Sequence, residues 1–179
     1  MAVETRLRRW YLVTFIALIA AVVAPFIVRL AMHPDEPIVE IVSLDGITRK
    51  VSLSKMKRMP ILTREGTYQN QFNNWRDQGT YTGVRLIDLI GSAVDYCSIR
   101  VVAADGYKLS IEQERVEDPD YPMILVYAFD GLEVPAWETG FRIAVLPEDG
   151  NVSNNEYNTV SAGSFWVKNV VRIILQHEP

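Results

Sequence analysis

The sequence predicts a mainly β, α+β domain preceded by one transmembrane helix, and three observations carry that prediction. The stretch Trp10 to Val28, WYLVTFIALIAAVVAPFIV, contains no charged residue. Beyond Pro37 the apolar residues gather in short β-branched runs bounded by Gly, Pro, Asn and Asp, the pattern of strands and turns. Helical spacing recurs only over brief segments, so the helices of the domain are few and short.

As a helix the nineteen-residue apolar run would be about 28 Å long at ~1.5 Å per residue, close to the ~30 Å hydrocarbon core of a bilayer. Arg6, Arg8 and Arg9 precede it and only Arg29 follows closely, so the N-terminus is expected in the cytoplasm and the C-terminal domain outside it. Trp10 and Tyr11 suit the interface. The expected organisation is 1-9 cytoplasmic N-terminus, 10-32 anchor, 33-37 linker and 38-179 a single extracytoplasmic domain. A cleaved secretory signal is the competing reading, since it shares the basic and apolar regions. Against it, the run is longer than a signal's apolar core of ~7–15 residues, and Pro25 directly follows Ala20 to Ala24. No cysteine lies directly after the run to serve as a lipoprotein anchor. A helix buried in a core is a third reading, but one apolar on every face needs a larger protein around it.

Of 18 basic and 22 acidic residues, four and one lie in residues 1–32, leaving the exported part with 14 and 21, a formal charge of −7. Such a domain is not expected to bind nucleic acid. The local basic set Arg49, Lys50, Lys55, Lys57 and Arg58 reads as a solvated, membrane-facing edge. Cys97 is the sole cysteine, so no intrachain disulfide is possible, and its place at a strand entrance predicts a small buried apolar residue. His33 and His177 have no metal-ligating neighbours in sequence.

Ile38 to Val42 reads as a strand entering the turn Leu44-Asp45-Gly46, with Val51-Ser52-Leu53 returning and Ser54 to Lys57 as a capped helical turn before Met59-Pro60. Thr63 to Tyr81, rich in Asn, Gln, Gly and aromatics, reads as a loop. Val84 to Ala93 places Val84, Leu86, Leu89 and Ile90 on one helical face. Ile99 to Ala104 and Tyr107 to Ile111 form a hairpin about Asp105-Gly106. Met123 to Ala128 is a buried strand, and Phe141 to Leu146 a strand stopped by Pro147. The polar insert Glu148 to Gly163 holds Asn151-Val152-Ser153, either an N-glycosylation acceptor or a chance match. Trp166 to Leu175 is the last strand, and no internal repeat is evident.

Taken in order, several of these segments resemble the molybdopterin-binding domain of the sulfite oxidase family. They are Val51-Ser52-Leu53 with Met59-Pro60, Tyr81 to Ile90 (YTGVRLIDLI), Ala104 to Ile111 (ADGYKLSI), Ile124 to Gly131 (ILVYAFDG), Gly140 to Pro147 (GFRIAVLP) and Lys168 to Ile173 (KNVVRI). None is specific alone; their order and spacing carry the likeness, which is to the small stand-alone members of that family. The resemblance implies a sulfite oxidase-like fold with a cleft for molybdopterin or another pterin.

A pterin offers a hydrogen-bonding edge, a flat face and a phosphate, so its site calls for amides or carboxylates, an aromatic surface and a cation. Asn70, Asn74, Trp75, Arg76, Tyr81, Asp105, Tyr107 and Lys168 are the candidates. Lys168 holds the place of the lysine in the family's Lys-Trp-x-x-Arg-Ile ending, with Asn169 replacing the Trp. Tyr107 matches a tyrosine near the substrate and is a weak catalytic candidate. Each has a plainer reading: Trp75 as a cap on the core, Arg76 with Asp77 as a surface pair, Tyr107 as packing, Asp105 as turn chemistry.

Catalytic members of the family hold molybdenum with a cysteine thiolate from the loop before Gly83-Val84. This chain has none there, and Cys97 follows the helix, which places molybdenum itself in doubt. The expected function is a membrane-anchored extracytoplasmic pterin-binding domain without full oxo-transfer catalysis. The alternatives are an active molybdopterin-dependent oxidoreductase with a non-cysteine ligand and a non-catalytic envelope interaction module. A linker of about five residues suits docking onto another membrane protein.

Overall fold

The computed structural model describes residues 36–91 and 94–178. The cytoplasmic segment and the anchor expected from the sequence lie outside those residues, as does most of the linker. Among the described residues no helix is long and apolar enough to cross a membrane.

Strand β1 (Ile38–Val42) buries Val39 and Ile41 and pairs antiparallel with β2 (Thr48–Ser52). Gly46 turns the chain between them at φ 82°. Ser52 caps the single turn α1 (Leu53–Met56), its hydroxyl accepting a hydrogen bond from the Lys55 amide at 3.4 Å.

The segment expected as a loop is instead the longest hairpin of the domain, β3 (Ile61–Gln69) with β4 (Trp75–Arg85). Thr, Tyr and Gly take the places that aliphatic residues usually hold. The pairing register also shifts between Gly66 and Tyr68, and Asp77 adopts φ 51°, so simple alternation is broken. Asn70 shapes the turn, its side-chain oxygen accepting from the amides of Phe72 at 2.9 Å and Asn74 at 3.1 Å.

Because β4 runs on to Arg85, the helix expected from Val84 is only the turn α2 (Leu86–Ile90). Val84 is buried in the sheet and the apolar face of Leu86, Leu89 and Ile90 is buried as well. Strand β5 (Ser98–Ala103), β6 (Lys108–Glu112) and α3 (Gln113–Val116) follow. Next come β7 (Met123–Phe129), β8 (Leu132–Glu133), β9 (Arg142–Val145) and β10 (Asn151–Val152). A 3-10 turn (Ala162–Phe165) precedes β11 (Val170–Gln176). The last strand starts at Val170 rather than Trp166, because Asn169 adopts φ 53° and cannot continue a strand backward.

Two sheets result. One has the order β2-β1-β11-β5-β6, with β1 and β11 parallel; the other runs β10-β3-β4-β7-β8, with β9 also paired to β7. Side chains such as Val39, Ile99, Val101 and Ile173 from the first sheet share one core with Val84, Leu125, Ile143 and Leu146 from the second. Burial of each such side chain contributes about 1.5–3 kcal/mol.

Cys97 departs from expectation, being exposed rather than buried. Its backbone is engaged, with the amide donating to the Gln176 carbonyl and the carbonyl accepting from Gln113, both at 2.9 Å, while the thiol faces solvent. The polar insert is fastened to the β3–β4 turn by buried Asn154. Its side-chain amide donates to the Asn70 carbonyl at 2.8 Å and to Asn73 Oδ1 at 2.9 Å, and its oxygen accepts from the Ala162 amide at 2.8 Å. Asn151 of the glycosylation pattern is exposed.

In the same insert the Tyr157 ring lies against Tyr121, Phe165 and the Arg115 guanidinium. Burial pushes its hydroxyl up to about 12, against the opposing pull of Arg115, and burial likewise raises Tyr81 and Tyr96. Unfolded tyrosines release their protons near ~10. Above that pH the unfolded chain binds fewer protons than the folded one, so stability falls as pH rises. Denaturation midpoints should therefore hold level from neutral pH to ~10 and drop between there and ~12, a trend that Tyr157→Phe should make shallower.

Candidate functional site

A charge inside an apolar strand organises the site. Arg142 opens β9, whose residues are all buried, and its side chain is only 3 % exposed. A guanidinium so placed needs an anionic partner. Asp77 supplies it, with Arg142 Nη2 donating to Oδ2 at 2.6 Å. Lys168 Nζ lies 3.3 Å from the same oxygen, and the Tyr68 hydroxyl donates to it at 3.3 Å. The Tyr81 hydroxyl donates to the Asp77 backbone carbonyl. One carboxylate thus gathers two cations and a phenol.

The guanidinium also lies among three rings, 5.2 Å from the centroid of Trp166, 5.7 Å from Tyr68 and 5.8 Å from Tyr81. The rings pack on one another, with Trp166 at 4.8 Å from Tyr68 and 5.0 Å from Tyr81. Gly66 makes this possible, since a Cβ there would meet Leu146 at 2.5 Å and Trp166 at 3.2 Å. Arg142 Nε and Trp166 Nε1 are buried donors without a partner among the described residues.

Burial works against ionisation of Asp77, but the hydrogen bond and charge of Arg142, then Lys168, outweigh it and hold the carboxyl below its ordinary value. Tyr68 is shifted up by burial and by the Asp77 charge.

Lys168 is positioned by the bend at Asn169, whose amide donates to the Thr139 carbonyl and whose carbonyl accepts from the Ala104 amide, both at 2.8 Å. The same bend brings the Asp105-Gly106 turn beside β11. There Asp105 Oδ1 accepts from the Tyr107 amide at 2.9 Å, and Tyr107 is 48 % exposed.

Of the residues picked from sequence, Lys168 and Tyr81 are brought together in the cluster. Asn70 and Asn74 are instead engaged in the hairpin turn, where the Asn74 carbonyl accepts from the Asn70 amide at 3.0 Å. Trp75 is 47 % exposed, and exposed Arg76 forms no ion pair among the described residues. The sequence pattern does not single out Arg142, Asp77, Tyr68 or Trp166 as site residues. The available signal was Arg142 itself, a lone charge within Phe141 to Leu146.

No family model matches the chain. No curated protein matches it either. Among solved structures it is similar to the sulfane dehydrogenase SoxCD from Paracoccus pantotrophus, with a TM-score of 0.58 at 15 % sequence identity. The two share a mainly β fold. The likeness covers 79 % of this chain and 38 % of that one, so the chain spans well under half of the length of SoxCD. At this identity the likeness is one of fold alone.

The side chains fit one end of a pterin cofactor and not the other. The half-exposed Lys168 ammonium beside the Arg142 guanidinium is of the character that suits an anionic phosphate, whereas Arg142 Nε and Trp166 Nε1 are buried. A thiolate-held metal has no counterpart here. Cys97 bonds to Gln176 at the end of β11, whereas Lys168 precedes the start of that strand at Val170. At ~3.3 Å per residue the two are separated by roughly 20 Å or more. Among the described residues no three His, Cys, Asp or Glu side chains converge as a metal site would require.

Proposed function

We propose that this chain is a membrane-anchored, extracytoplasmic domain that binds a planar, phosphate-bearing ligand of the pterin type without itself carrying out oxo transfer. The observation that carries the proposal is the convergence of Arg142 and Lys168 on a single carboxylate oxygen beside Tyr68, Tyr81 and Trp166. A buried guanidinium and a half-exposed ammonium aimed at one point form an oxyanion-recognition pair. The fold likeness to a sulfane dehydrogenase supports the ligand class.

Bound molybdopterin would supply a dithiolene-held metal for redox chemistry. The chain's own part would be to hold the phosphate with Arg142 and Lys168. The lack of a thiolate near that pair argues against protein-held molybdenum. The short linker after the apolar run suits work beside a membrane protein partner.

Protein purified from its native source tests this directly. Elemental mass spectrometry together with pterin fluorescence after oxidative release should find pterin without stoichiometric molybdenum. Molybdenum near one per chain would point to an oxidoreductase with an unusual ligand. Neither metal nor pterin would leave an envelope scaffold and overturn the proposal.

A further inference from the structure

We infer that Asp77 sets the specificity of the Arg142–Lys168 site, its carboxylate occupying the place an external oxyanion would take, so that free phosphate and sulfate are refused. This rests on reading the two cations as an anion-recognition pair.

Asp77 Oδ2 is 2.6 Å from Arg142 Nη2 and 3.3 Å from both Lys168 Nζ and the Tyr68 hydroxyl, so the donors directed at this point already have an acceptor. The residue is held there by its backbone. Asp77 lies within β4 but adopts φ 51°, a left-handed conformation that interrupts the strand, and its carbonyl is fixed by the Tyr81 hydroxyl. A side chain kept in place by strained backbone is not simply a surface partner that drifted onto a cation.

The consequence for binding is a competition. Two cations and one carboxylate leave a single net positive charge, and an incoming phosphate must displace Asp77 and leave that carboxylate without its partners. A small oxyanion brings nothing to offset this. A ligand with a phosphate and a flat ring does, because half-buried Tyr68 stands next to the cations with buried Trp166 packed behind it. Refusal of the wrong ligand by a built-in competitor is a recognised route to specificity. Because Asp77 is 31 % exposed, its side chain has a solvent side toward which to swing.

The test measures inorganic phosphate binding to the full chain in detergent by calorimetry, with far-UV circular dichroism confirming the fold. Asp77→Asn removes the charge, and Asp77→Gly removes the side chain. Both residue types tolerate φ 51°, so the hairpin backbone is kept, while the loss of the Arg142 partner should lower Tm, and binding is measured well below the midpoint of each variant. The expected result is saturable binding to both variants and none to wild type at phosphate concentrations up to about tenfold above their dissociation constants, a difference of at least about 1.4 kcal/mol. Adding Lys168→Met to Asp77→Asn should abolish it. Equal affinity in wild type and Asp77→Asn would overturn the role of Asp77 and leave the anion-recognition pair standing. Folded variants that bind no phosphate would overturn both, and binding that survives Lys168→Met would place the phosphate elsewhere and overturn the inference.

Discussion

Arg142→Ala should destabilise the domain by about 3 kcal/mol or more, since removing one partner of a buried ion pair typically costs about 3–5 kcal/mol. Two effects add. The guanidinium fills space among Trp166, Tyr68 and Tyr81, and truncation leaves a cavity lined by their rings. Asp77 also loses its shortest contact, at 2.6 Å, although Lys168 and Tyr68 remain beside it. For a chain of this size the loss corresponds to a fall in Tm of roughly 6–12 °C. Arg142→Met should cost less, because it restores most of the volume. Arg142→Lys should fall between the two, since a lysine keeps the charge but not the planar fork. Thermal and denaturant unfolding would rank the three. A loss below about 1 kcal/mol for Arg142→Ala would mean that the packing around it relaxes fully.

The same residue shows how far sequence reasoning reached. Strands with unbroken β-branched or apolar runs, such as Ile38 to Val42 and Met123 to Ala128, were legible because period and turn residues agreed. The β3–β4 hairpin was not, although it is the longest pairing in the domain. Of its buried positions only Val84 is aliphatic; the others are Gly66, Thr67, Tyr81 and Gly83, which do not read as an apolar face, and a register shift and the left-handed Asp77 break its alternation. Half of the candidate site lies on that hairpin. Lys168 and Tyr81 could be picked from the resemblance alone, but Asp77 and Tyr68 meet Arg142 only once β4 folds back on β3 and β7 pairs with β4 on one side and β9 on the other. Cys97 failed for a related reason: a cysteine just before a strand says nothing of which way its thiol faces, and here only the backbone is engaged.

The second large effect is expected from Gly83→Ala, and its cause is space. Gly83 lies where the β4–β7 register shifts, Thr82 facing Ala128 and Gly83 facing Val126. A Cβ at this position would fall on the Leu125 carbonyl oxygen and come within 2.8 Å of the Val126 Cα. Both obstacles are backbone, so no rotamer change relieves them, and the strands must separate. Overpacking of this kind costs about 1–3 kcal/mol when side chains absorb it, and a central strand pair that cannot should lose at least about 3 kcal/mol. Gly46→Ala is the matched comparison, with nothing within 4 Å of its Cβ but a φ of 82°; it should cost only about 1–3 kcal/mol of backbone strain. The consequence extends to the site because Val126 pairs with Gly83 on one side and with Arg142 on the other. Pushing β7 away from β4 therefore changes the separation between the strand that carries Asp77 and Tyr81 and the strand that carries Arg142. Any Gly83→Ala protein that still folds should show altered Trp166 fluorescence along with its lowered Tm, whereas Gly46→Ala should lower Tm alone.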